Sequence, residues 1–462
     1  MNLSRRSFIN QASAIGLGFL GLRSVIENGL AQGAASSFAE VGYGPLLPDP
    51  DKILDLPSGF TYRMISLVGE RMDDGLYVPG KHDGMAAFPG PNGETILVRN
   101  HELEPAQVEF SPFGLQNLLF RQVDQRKLYD PGKGTKPALG GTTTIVYDTR
   151  TGDVLKHFLS LAGTHRNCAG GPTPWNSWIT CEETVEVTGG DIEKDHGYNF
   201  EVPASTEIHL ADPLPLIAMG RFRHEAVAVD PQTGIVYETE DRPDGLIYRF
   251  LPNQPGRLQA GGRLQALRVR NAPGLDTRNW RRQTFRVGGV RKVDWVDLDD
   301  ITSPDDDLRY QGRFEKGAAR FARGEGMWYG HRSIYFACTN GGEKQKGQIW
   351  RYVPSRFEGT SREKNRPGTL ELFIEPNDAN LVENADNLTV APWGDLIVCE
   401  DGTETQLILG VTPQGRIYKI GGTNISELAG ATFSPDGTTL FVNIQTPGWT
   451  LAIKGPWRQQ RG

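Results

Sequence analysis

An all-β fold, a six-bladed β-propeller with loop and helical insertions, is what this 462-residue chain predicts. Three observations predict it. The 56 glycines and 30 prolines imply many turns, with β-branched and aromatic residues in short runs between them. A hairpin pattern repeats along the chain, and a further short strand follows most copies. A seven- or eight-bladed ring, or paired β-sandwiches, would fit the same counts less directly. The formal net charge of −7 supplies no basic surface for nucleic acid.

The N-terminus, MNLSRRSFINQASAIGLGFLGL, carries Arg5 and Arg6, then Phe8 and a weakly apolar run from Ala12 to Leu22. Residues 1–35 read as a twin-arginine export signal, with cleavage between Leu30 and Ser36. The run is too short and glycine-rich for a stable membrane anchor. Residues 36–462 are then a single propeller domain, placed in the periplasm or outside the cell. That route carries folded proteins, so a metal site and reduced thiols are compatible with export.

Four segments align: HEAVAVDPQTGIVYETED from His224, GEGMWYGHRSIYFACTNGG from Gly324, ADNLTVAPWGDLIVCEDG from Ala385 and AGATFSPDGTTLFVNIQT from Ala429. Each runs from a polar residue through an alternating strand, a turn and a second strand to a polar cluster, which is a β-hairpin bracketed by polar side chains. HDGMAAFPGPNGETILVRNHE from His82 and NCAGGPTPWNSWITCEE from Asn167 fit less closely and bring the number to six. Third strands follow at 141, 197, 245, 347 and 415. Long inserts run from about Leu103 to Gly140 and from Asn253 to Phe314; the second, rich in arginine, could shape a lid or a partner surface.

Fifteen positions separate Cys168 from Glu183, Glu225 from Glu240, Glu325 from Asn340 and Asp386 from Asp401. Equivalent positions in a closed ring share one height, so these residues should meet at one mouth of the central channel. The expected set is Glu102, Cys168, Glu182 or Glu183, Glu225, Glu240, Asp241, Glu325, Asp386, Glu400 and Asp401. So many carboxylates raise one another's pKa unless cations separate them. Oxygen ligands suit calcium, and a thiolate among them suits iron or zinc. Solvated loop acids would explain one or two copies, not the same position in five.

Cys181, Cys338 and Cys399 share one repeat position on different second strands, too far apart for disulfides, and are expected to be buried thiols. Cys168 stands where other copies carry a carboxylate and is expected to ligate metal. A Cys168 nucleophile with His165 or His224 as base, or a Cys168–Cys181 disulfide, are the competing readings.

RNHE at 99–102, NCAGGPTPWNSWITCEE at 167–183, RHEAVAVDP at 223–231, RGEGM at 323–327, CTNGG…GQIWRY at 338–352 and ADNLTVAPWGDLIVCEDG at 385–402 resemble the PhoX-type alkaline phosphatases. The resemblance runs along nearly all of the chain after the signal. It implies a six-bladed propeller, a mixed iron–calcium cluster at the channel mouth and hydrolysis of phosphomonoesters. Cys168 corresponds to the iron-bridging cysteine, Glu102, Glu183, Glu225 and Glu325 to acidic ligands, and Asn100 and Arg323 to the phosphate contacts. The chain is shorter than the long members, and Arg223–His224–Glu225 replaces the expected arginine–proline–glutamate. The implied partners are a small phosphoester and the twin-arginine export machinery, and a monomer is expected. The alternatives are a calcium-dependent esterase or lactonase using Glu102, Asp386 and Asn387, and a non-catalytic propeller whose cations only hold its sheets together.

Overall fold

The computed structural model describes residues 41–302 and 307–458; the expected export signal lies outside them. No helix among the described residues is long and apolar enough to cross a membrane. The fold is all-β, with antiparallel sheets in a propeller-like arrangement. Six strands face a central channel: His82–Pro89, Asn167–Pro172, His224–Val229, Gly324–Gly330, Ala385–Val390 and Leu428–Phe433. Each packs against the next, and the last packs against the first.

The sheets behind these strands are unequal. The His82 strand heads a four-stranded sheet with Glu94–His101, Gly140–Asp148 and Asp153–Thr164, whereas the Asn167 strand heads only three. The His224 and Gly324 strands begin and end one continuous nine-stranded sheet. Its two halves join because Val290–Asp297 is long enough to pair at one end with Thr369–Glu371 and at the other with Gln265–Val269. The insert from Asn253 to Phe314 therefore contributes two strands to this sheet, Gly262–Val269 and Val290–Asp297, along with a short helical turn beginning at Asp307. The insert from Leu103 to Gly140 is a chain of 3-10 turns.

The ring closes between the chain's ends. Thr61–Leu67 forms the outer strand of the last sheet by pairing with Trp449–Lys454. Arg99 bolts this seam from the first sheet. Its fully buried guanidinium donates to Ser66 Oγ at 3.0 Å, to Thr450 Oγ1 and to Thr143 Oγ1 at 2.9 Å. Burial lowers its pKa to about 9, since hydroxyls solvate the charge less well than water.

Every channel-facing strand carries a register shift near its start: His82/Met85, Asn167/Gly170, His224/Val227, Gly324/Met327, Ala385/Leu388 and Ala429/Thr432. A bulge bends its strand and re-aims a side chain. Here it turns Asp83, Cys168, Glu225, Glu325 and Asp386 toward the channel mouth. At two of these bulges the neighbouring strand comes so close that the residue after the bulge has no room for a side chain. A Cβ on Gly84 would lie 2.5 Å from Ala169 Cα, and one on Gly326 would lie 2.6 Å from the Asp386 carbonyl oxygen.

Candidate metal centre

Three tiers of side chains line the mouth. The deepest comes from the bulges: Asp83, Cys168, Glu225, Glu325 and Asp386, all buried. In the sixth copy Ala429 takes this place, and Glu427 reaches into the cavity instead. The second tier is the residue just past each second strand: Glu102, Glu183, Asp241, Thr339, Asp401 and Gln445. The third is the residue just before each channel-facing strand: Lys81, Arg166, Arg223, Arg323, Asn384 and Glu427. Tiers two and three are tied by one repeated backbone bond, from Glu102 N to Lys81 O, Glu183 N to Arg166 O, Asp241 N to Arg223 O, Thr339 N to Arg323 O, Asp401 N to Asn384 O and Gln445 N to Glu427 O, all at 3.0–3.2 Å.

Together they enclose a cavity of about 290 Å³ whose lining includes nine carboxylates (Asp83, Glu102, Glu183, Glu225, Asp241, Glu325, Asp386, Asp401, Glu427), three cations (Lys81, Arg166, Arg323) and Cys168. A larger surface hollow of about 560 Å³ lies at the hairpin turns around Pro392, Pro435 and Trp457. Its charged groups are already engaged, Asp436 by Thr438 and Arg458 by Asp395, so the concentrated chemistry belongs to the smaller cavity.

Oxygen atoms of Glu225, Glu325 and Asp386 all lie within 4.8 Å of one another. Burial, then Glu183, Asp386 and Asp83, push the Glu225 carboxyl well above its usual range. Burial and Asp241 do the same to Glu325, and burial with Glu102 to Asp83. Asp386 rises to about 6 through burial and Asp401, and Glu183 to about 8, chiefly through burial, against the pull of Arg166. The Cys168 thiol is pushed up by burial, Glu225 and Glu183.

The rim side chains reach back to the preceding sheet. Arg166 meets Glu102 at 2.8 Å and Glu104 at 3.3 Å, and also pairs with Glu183. Arg323 grips Asp241 through Nε and Nη2 at 2.7 and 2.8 Å and lies 2.9 Å from Glu325. Its Nη1 group has no partner among the described residues.

Of the residues expected here, the structure brings together Glu102, Cys168, Glu183, Glu225, Asp241, Glu325, Asp386, Asp401 and Arg323. Glu182, Glu240 and Glu400 are corrections. Each sits one residue before a second-tier side chain and points into its own sheet, because successive strand residues face opposite ways. Glu182 accepts from His196 Nδ1 at 2.6 Å and from the His165 and Gly197 amides. Glu240 accepts from Leu246 N and the Tyr248 hydroxyl, both at 2.9 Å; Glu400 accepts from Glu383 N at 2.7 Å.

Asn100 is a correction of another kind. It is fully buried below the cavity, donating to the Cys168 and Ala169 carbonyls at 3.0 and 2.6 Å and accepting from Trp178 Nε1 at 2.8 Å. No donor is left for a ligand. All four cysteines are free and buried. Sequence reasoning left Asp83 outside the ligand set and missed Lys81, Glu427 and Gln445. Asp83 had a signal, since it opens the first copy as Cys168 opens the second.

The family model described as "Alkaline phosphatase PhoX" matches two overlapping stretches, residues 41–154 and 133–448. No curated protein matches the chain. Among solved structures, a putative gluconolactonase is similar at 12% identity and a TM-score of 0.38, over 90% of this chain and 99% of that one. A gluconolactonase from Xanthomonas campestris is similar at 14% identity and a TM-score of 0.41, over 89% of this chain and 98% of that one.

Proposed function

The chain belongs to the PhoX alkaline phosphatase family, and from that premise we propose that it is a metal-dependent phosphomonoesterase acting at the acidic mouth, with iron and calcium as its cations. The observation that carries the reading is the cavity's formal excess of six negative charges, nine carboxylates against three cations. An anionic ester cannot enter such a funnel until bound cations reverse its potential.

The donor set fits such ions. Glu225, Glu325 and Asp386 converge closely enough to share one, and Cys168 adds a sulfur beside Glu183 and Glu225. Asp83, Glu102, Asp241, Asp401 and Glu427 supply further hard oxygens on the same wall. When bound, such cations polarise phosphoryl oxygens and make a nucleophile available near neutral pH. Arg323 orients the phosphoryl group through the free Nη1, its other nitrogens being fixed by Asp241 and Glu325. Arg166, held by three carboxylates, keeps the second-tier acids apart.

We also read the scaffold as six blades, with the nine-stranded sheet counting as two that share an outer strand. The six bulges and six matching rim bonds support that count. The paired arginines near the start support twin-arginine export to the periplasm or beyond.

The test is hydrolysis of a chromogenic phosphate monoester and of an aryl carboxylic ester, with and without chelator, alongside elemental analysis. Chelator-sensitive cleavage of the phosphate ester by protein containing iron and calcium is expected. Cleavage of the carboxylic ester alone, with calcium and no iron, would transfer the site to the esterase class; cleavage of neither would leave cations that only hold the sheets.

A further inference from the structure

The rim of the mouth has one cation that forms no ion pair with a carboxylate among the described residues, though its charge favours the ionised forms of Glu102 and Asp401. Arg166 and Arg323 are matched by acids at the ends of the preceding sheets, Glu102 and Asp241. Lys81 stands at the same place in the first copy, but the residue facing it from the last sheet is Gln445, a neutral amide. Lys81 Nζ donates to Gln445 Oε1 at 3.0 Å, which is its one polar partner among the described residues.

The amide cannot turn its oxygen elsewhere. Its Nε2 is held by Asp83 Oδ2 at 3.1 Å and Glu102 Oε2 at 2.9 Å, which fixes Oε1 toward the ammonium. Lys81 is half-buried and lines the cavity with Arg323. Both residues share the left-handed backbone conformation, φ +49° and +51°. An L-residue accepts that conformation at a cost; Arg166 and Asn384 hold it too at the same rim position, at +46° and +56°. The His82 and Gly324 strands are three places apart in the ring of six, so the two cations face each other across the channel.

An ammonium carries three hydrogens, and one is committed. A phosphate monoester presents three non-bridging oxygens, more than Arg323 can serve through Nη1. We propose that Lys81 is a substrate-binding residue, donating to a phosphoryl oxygen from the side of the mouth opposite Arg323. This rests on the phosphatase reading for the substrate, while the anion-binding role stands on the geometry alone. A lysine suits it because a point charge on a flexible stem can follow the phosphoryl group as it moves.

The test compares full-length, metal-loaded wild type with Lys81→Met and Lys81→Arg. Inorganic phosphate binding is measured by calorimetry, KM and kcat with a chromogenic phosphate ester, and metal content and Tm as controls. Lys81→Met should weaken phosphate binding and raise KM about tenfold or more, the usual effect of losing a charged hydrogen bond. Metal content and Tm should stay at wild-type values, and Lys81→Arg should recover most of the affinity. Phosphate binding within twofold of wild type in Lys81→Met would overturn the assignment. So would loss of metal with a lowered Tm, which would make Lys81 only a support for Gln445. If the wild type binds phosphate, loses that binding in Lys81→Met, and hydrolyses no ester, the Lys81 site stands and the phosphatase reading falls. A wild type that hydrolyses the ester beside an indistinguishable Lys81→Met removes the Lys81 site alone.

Discussion

Replacing Glu225 by glutamine should make the metal-free protein more stable. The Glu225, Glu325 and Asp386 oxygens lie within 4.8 Å of one another. At an effective dielectric of about 20, a pair of charges at that distance repels by ~3.5 kcal/mol, so Glu225 would face ~7 kcal/mol from its two neighbours if all three stayed ionised. They do not have to. Taking up a proton at pH 7 costs a carboxyl of ordinary pKa near 4.5 only ~3.5 kcal/mol, which caps the frustration. The amide removes that cost, and a chain of roughly 420 ordered residues unfolds with ~0.9 kcal/mol/K of entropy, so Tm should rise by ~3–4 °C in chelator at pH 7.

The pH dependence has a definite sign. A carboxyl whose pKa is raised on folding, as that of Glu225 is, binds more protons folded than unfolded, so stability falls as pH rises from the unfolded pKa toward the folded one. At pH 5 the proton costs under ~1 kcal/mol, and the advantage of Glu225→Gln should nearly vanish. Differential scanning fluorimetry in chelator at pH 5, 6, 7 and 8 measures the gap. A variant that melts lower than wild type, or a gap that does not change with pH, would refute the crowding of these acids. With metal restored the order should reverse, because the amide is the poorer ligand.

Cys168→Ala should fold normally yet bind far less iron, read by elemental analysis and by loss of visible thiolate–iron absorption; full iron occupancy would remove the sulfur from the ligand set. Asn100→Ala should cost ~2–4 kcal/mol in chemical denaturation, since it orphans the Cys168 and Ala169 carbonyls and Trp178 Nε1 together, and a loss below ~1 kcal/mol would contradict that count. His196, with its pKa raised to about 9 by Glu182 and Asp130 against the opposing effect of burial, contributes ~3 kcal/mol that is fully present below pH 6.5 and lost as pH rises through 9. His196→Gln should flatten that part of the stability profile, and a profile parallel to wild type would show the ring to be neutral throughout.

The hairpin repeat was legible because strand alternation and turn residues are local. The ligand set was only partly legible because the counting residue drifts. From deep tier to second tier is fifteen positions at Cys168–Glu183 and Asp386–Asp401, sixteen at Glu225–Asp241, fourteen at Glu325–Thr339 and nineteen at Asp83–Glu102. Turn length sets these intervals, and one extra residue reverses which face a side chain takes. A fixed count of fifteen therefore selects Glu240 where its neighbour Asp241 faces the channel. Glu427 left no repeat signal because Ala429 empties the sixth deep position, and Lys81 became visible only beside Gln445, 364 residues away. The merged sheets depend on where the long strand from Val290 pairs, which no local pattern records.

A mouth lined by mutually repelling acids must be held in place by something other than those acids. Below the cavity, neutral side chains of one repeat position do this across the gaps between sheets. Asn100 binds the carbonyl of Cys168, Thr239 that of Glu325 at 2.7 Å, and Asn443 that of Asp83 at 2.5 Å. Each fixes the backbone of a cavity residue in the next sheet, without adding charge. Cys181 and Cys399 fill the same position in two other copies; Cys338, expected to share it, lies one residue further on, next to Thr339, and Ala337 takes the place instead, all of them buried and uncharged. Burial keeps the Cys338 and Cys399 thiols neutral by raising their pKa. The acids of the mouth are thus positioned by neutral groups, and on the metal-dependent reading the free energy of their crowding would be released when an ion binds. That is why the same substitution, Glu225→Gln, should strengthen the empty protein and weaken the loaded one.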